Sequence, residues 1–70
     1  MAFDSLSYSL AKSALRDYST ASRRAAYVLS SDYGHWIIER GSGVVLAGPY
    51  REPARLLIEA RRLRDRERNG

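Results

Sequence analysis

Few residues in this sequence are of types that carry covalent or acid–base chemistry. The chain holds one histidine, His35, and no cysteine. Asp32 stands near His35 across a turn and is placed to orient its imidazole, and serines are frequent. Acyl transfer would also need a serine lifted on a Gly-x-Ser-x-Gly turn beside the base, and no serine here has that setting. His35 therefore reads as a strand-start residue with an ordinary surface role. Gly41-Ser42-Gly43 has the glycine content of a phosphate cradle, but such a loop needs a longer glycine spacing, a lysine and a following helix. Val44-Val45-Leu46 follows instead, so a hairpin turn is expected. Nothing here assembles a catalytic set, a metal site or a cofactor site.

What the chain offers in quantity is positive charge. Its formal net charge is +4, with 12 basic residues, of which all but Lys12 are arginine. The guanidinium fork suits phosphate and carboxylate alike, although a GC-rich coding sequence also favours arginine over lysine. The charge crowds the stretch from Arg51 to Arg68. Over residues 52–67 the spacing predicts an amphipathic helix, with Leu56, Leu57, Ala60 and Leu63 on one arc beside Pro53 and Arg55, Glu59, Arg62 and Arg66 opposite.

Two uses of that helix follow. In the first, Ile58, ringed by Ala54, Arg61, Arg62 and Asp65, is the apolar anchor of a charged docking face made with Arg55, Arg61, Arg62 and Arg66. In the second, Arg24, Arg40, Arg51, Arg64 and Arg68 join the helix arginines in tracking a nucleic-acid backbone. Each neutralised phosphate would then steepen the salt dependence by about 0.9 in log–log slope. Glu59 lies within helical reach of Arg55 or Arg62, and Asp65 of Arg61 or Arg68, which blunts the field a phosphate would feel. A salt-bridge-laced solvent face is the plain alternative to both.

The elements that must position these residues can be taken in order. Residues 3–18 read as a helix capped by Asp4, with Phe3, Leu6, Leu10, Ala14 and Tyr18 on one stripe, widened by Tyr8, Ala11 and Leu15. Ser19, Thr20 and Ser22 read as a polar break. From Arg24 the period becomes two, Ala25, Tyr27 and Leu29 alternating with Ala26, Val28 and Ser30; turn formers at residues 31–34 and a second run at 35–40 continue a sheet. A third strand ends at Gly48-Pro49, and Pro53 suits the first turn of the last helix. Trp36 and Tyr27 are expected on the packed face of the sheet, with Tyr33 and Tyr50 at its margins and base stacking by exposed aromatics as the alternative. The fold class is α+β: one domain over residues 1–70, with a helical segment at 1–22, a three-stranded antiparallel meander at 24–48, a basic helix at 52–67 and a frayed tail at 68–70.

A chain of 70 residues buries only about 60% of its unfolded surface. One core of that size supplies roughly 3 to 5 kcal/mol, so a homodimer through the first helix or an edge strand is a natural way to gain buried area. No apolar run reaches the length of about 18 residues that a membrane span requires, and no signal-peptide pattern opens the chain, so the expected location is cytoplasmic.

The meander with Trp36, the glycine turn at 41–43 and the following alanine- and leucine-bearing helix resembles, over residues 24–66, the arm-type DNA-binding domains of phage integrases and their plant relatives. That resemblance implies a sheet entering the major groove. In size and lack of catalytic residues the chain also resembles the small proteins of phages and mobile elements, anti-CRISPR proteins among them. This second likeness implies an inhibitor or adaptor occupying an acidic or nucleic-acid-binding surface of a host protein complex. The leading expectation is therefore a non-enzymatic protein-binding module; a DNA- or RNA-binding accessory protein is the alternative, and a small enzyme centred on His35 the remotest.

Overall fold

The computed structural model describes residues 3–69; Met1, Ala2 and Gly70, which the sequence places in the N-terminal segment and the tail, lie outside the described residues. The order is α1 (Ser5–Ser22), β1 (Ala26–Ser31), β2 (Gly34–Glu39), β3 (Val45–Tyr50) and α2 (Pro53–Asn69). It is the αβββα arrangement expected. The three strands form one antiparallel meander in the order β1-β2-β3.

α1 starts as its sequence implies: the Ser7 N–H donates to Asp4 Oδ1 at 3.0 Å. It does not stop at Tyr18. The hydroxyls of Thr20 and Ser22 donate to the Arg16 and Tyr18 carbonyls at 3.1 and 2.8 Å, so they bond one turn back along the helix instead of breaking it. Arg23, in the left-handed region at φ 61°, ends the helix. Ser19 Oγ accepts from the Ala26 N–H at 3.0 Å and ties the last turn to β1.

The buried stripe of α1 also differs from expectation. Ala11, Ala14, Leu15 and Tyr18 are buried, whereas Phe3, Leu6 and Leu10 are exposed. Two of the four are alanines, as is Ala60, buried in the same cluster on α2, and alanine lets two helices approach closely. Leu15, Ile37 and Leu56 are the largest fully enclosed side chains.

Both helices cover one face of the sheet. Ala26, Val28, Ile37, Ala47 and Tyr50 belong to the cluster shared with α1 and α2. The alternate positions point away from the helices: Tyr27 pairs with Ile38, Leu29 with Trp36, and Ile38 with Val45. Tyr27 and Trp36 are thus on the outer face, not the packed one. The Cα trace measures 37 × 22 × 13 Å, a slab one helix layer and one sheet layer thick.

The β2–β3 hairpin closes through Gly43 N–H to the Glu39 carbonyl at 2.8 Å and Glu39 N–H to the Val44 carbonyl at 2.9 Å, with Gly43 at φ 74°. β3 runs through Gly48 and Pro49 to Tyr50 instead of ending there. It is an edge strand with an irregular register, and a proline that cannot donate is tolerated at such an edge. α2 continues to Asn69, past the expected fraying point, with Arg66 and Arg68 in its last turn where cations complement the helix dipole.

Candidate protein-docking surface

α2 divides cleanly by burial. Pro53, Leu56, Leu57 and Ala60 face the core, and Arg55, Ile58, Arg61, Arg62 and Arg66 are all exposed. At 100° per residue Arg55, Ile58, Arg62 and Arg66 fall on the side of the helix opposite that core. Ile58 is 47% exposed among them. The expected anchor and its charged rim therefore share one outward face.

The ion pairs on this helix are fewer than the spacing allows. Glu59 accepts from Arg62 at 2.9 Å, and Asp65 accepts from Arg64 Nε at 3.1 Å instead of from Arg61 or Arg68. Among the described residues, Arg55, Arg61 and Arg66 have no carboxylate within ion-pairing distance. Exposed pairs of this kind are worth only about 0–1 kcal/mol, so even Arg62 is readily recruited by a competing anion.

The remaining arginines lie elsewhere. Arg64 is on a different flank from Ile58, turned toward Asp65. Arg24 approaches Glu39 at 4.0 Å, and the Arg40 guanidinium lies 5.0 Å from the centre of the Tyr27 ring. Arg24 and Arg40 line, with Arg23, a cleft of about 360 Å³ at the end of the sheet. Arg23 escaped the sequence reading because only its left-handed conformation turns it to that cleft. Arg51 is exposed just after β3, and Arg68 is exposed near the end of α2.

His35 is engaged without Asp32. Its Nδ1 lies 2.7 Å from Ser30 Oγ, which in turn lies 3.3 Å from the Tyr8 hydroxyl. The ring packs 5.5 Å from Tyr8 and 5.8 Å from Phe3. This aromatic cluster closes one end of the helix–sheet layer. Among the described residues no His/Cys/Asp/Glu cluster is arranged to hold a metal ion, and no helix is long and apolar enough to cross a membrane.

A second surface was not legible as one. The outer face of the sheet carries Tyr27, Leu29, Trp36, Ile38 and Val45, with Leu29 46% and Val45 52% exposed. Its signal in the sequence is the near-continuous apolar run in β1 and β2, where a half-solvated sheet would alternate with polar residues. No protein-family model matches the chain, and no curated protein or solved structure matches it.

Proposed function

We propose that this protein is a non-enzymatic binding module that docks the outward face of α2 on an acidic, or nucleic-acid-binding, surface of a larger protein complex, in the manner of a phage or mobile-element inhibitor or adaptor. The observation that carries this reading is Ile58, half exposed on a helix whose other face is committed to the core, with Arg55, Arg61 and Arg66, which have no ion-pair partner among the described residues, around it. An apolar anchor in a ring of arginines is the composition of an interface centre. Arginine supplies planar, bidentate donors to carboxylates on the partner.

The test is affinity capture from host lysate with and without nuclease, comparing the wild-type chain with Ile58→Asp/Arg62→Glu. A discrete partner that survives nuclease and is lost in the double variant supports the docking face. Equal capture by the variant sinks it.

The cleft of Arg23, Arg24 and Arg40 favours a second reading, binding to DNA or RNA. It requires micromolar or tighter affinity for an oligonucleotide near physiological salt, falling steeply as salt rises. The outer sheet face gives a groove-reading sheet little support, since none of its strand positions Tyr27, Leu29, Trp36, Ile38 and Val45 is charged and Arg40, just past β2, lies over Tyr27.

A further inference from the structure

The geometry points to a second copy of this chain as the occupant of the outer sheet face, giving a dimer with the layer order helix, sheet, sheet, helix. The face is apolar where solvent should favour polar residues. Leu29 sits opposite Trp36, and Ile38 lies between Tyr27 and Val45. Ile38 is only 6% exposed, yet it stands outside the cluster that the helices cover. An antiparallel sheet with one wet face normally alternates apolar and polar residues, and this one is apolar on both. The 13 Å thickness of the slab leaves no part of the described chain to cover it.

Charge selects the occupant. The arginine face of α2 points away from the sheet, and among the described residues the outer-face strand positions carry no charge, with Arg40, just past β2, already over the Tyr27 ring. An acidic protein or a nucleic acid would be drawn to α2 in preference. Two copies stacked sheet to sheet hold their arginine helices in the outermost layers, about 30 Å apart. That is several Debye lengths of about 8 Å, so the net charge of +4 on each copy opposes this dimer little. Edge pairing through β1 is less favourable, because Lys12 and Arg16 flank the groove beside that strand and two copies would bring four cations together.

Area sets the strength. Three strands of six residues, about 4.8 Å apart and rising about 3.3 Å per residue, outline a face of about 14 by 20 Å. Two such faces cover roughly 560 Å² in flat projection, so even with side-chain relief the interface falls short of the roughly 1,200–2,000 Å² of a stable specific one and in the range of weak, transient contacts. The dimer is thus a concentration-dependent one, and its aligned sheets cross at about 30° as twisted sheets do.

Sedimentation equilibrium of the full chain from micromolar to several hundred micromolar tests this. Wild type is expected to reach twice its 7.9 kDa mass within that range. Leu29→Glu/Val45→Glu, at two exposed positions, is expected to remain monomeric with unchanged far-UV circular dichroism, while Leu6→Glu/Leu10→Glu on α1 still dimerises. Trp36, the one tryptophan, reports independently of any variant: its emission should shift to longer wavelength on dilution through the transition. A wild-type chain that stays monomeric, a dimer that persists in the sheet-face variant or is lost in the α1 variant, or a Trp36 spectrum independent of concentration overturns the proposal.

Discussion

At the scale of single residues, the cap and the glycines make the sharpest predictions. The Ser7 backbone N–H, with its hydroxyl second, holds the Asp4 carboxyl below the ordinary carboxylate range. A depressed folded-state pKa stabilises the fold above the unfolded value, near 3.9 for aspartate, and that contribution disappears as pH falls through the folded value. Asp4→Ala should therefore lower the melting temperature by a few degrees at pH 7, and thermal scans should show the difference closing below the carboxylate range. Asp4→Asn keeps an accepting oxygen and should retain most of the neutral-pH stability. Gly48 is a harder constraint: at φ 110°, a Cβ there would lie 2.7 Å from the His35 carbonyl oxygen and 2.9 Å from Trp36 Cα. Gly48→Ala is expected to cost on the order of 2 kcal/mol or more in urea denaturation. Gly41→Ala, with nothing within 4 Å and no positive φ, should be close to neutral.

At the scale of elements, the α1–α2 contact decides how the domain tolerates change. Ala11 and Ala60 are both completely buried where the helices meet. Ala11→Leu would have to push the helices apart, and overpacking of this kind costs about 1–3 kcal/mol. Leu56→Ala leaves a cavity instead, costing about 2–5 kcal/mol. One core of this size supplies roughly 3 to 5 kcal/mol altogether, so Leu56→Ala is expected to populate the unfolded state measurably at 25 °C by circular dichroism. Ile58→Asp, exposed on the same helix, should leave the melt within about 0.5 kcal/mol of wild type. That contrast separates the two faces of α2 by stability alone, before any partner is known.

At the scale of the whole molecule, two unlike surfaces stand out: the basic outward face of α2 with Ile58 at its centre, and the apolar outer face of the sheet. If both are used as proposed, the dimer presents two α2 faces on opposite sides and engages its target with two contacts, raising avidity only where the target offers two sites that both can reach. Leu29→Glu/Val45→Glu should then weaken capture of a partner less severely than Ile58→Asp/Arg62→Glu does. Quantitative pull-down at matched concentrations would check the order, and a sheet-face variant losing more would count against α2 as the principal contact.

Much of this protein was legible from residue spacing because its signals are local. Asp4 before an apolar-periodic run, the glycine turn at 43 and Pro53 ahead of Leu56 and Leu57 each act over a few residues, so the αβββα order and the inward arc of α2 follow from the sequence alone. The outward set Arg55, Ile58, Arg62 and Arg66 follows from the same periodicity. Tertiary structure decided what depends on a neighbour. Whether Leu10 or Ala11 points inward was set by how closely α1 approaches α2, and whether Ser22 breaks or continues a helix by whether its hydroxyl bonds back to Tyr18. Which side of the sheet Trp36 occupies was set by both helices choosing the same face: period-two spacing separates the two faces of a strand but does not name the covered one, and only the packed layers do.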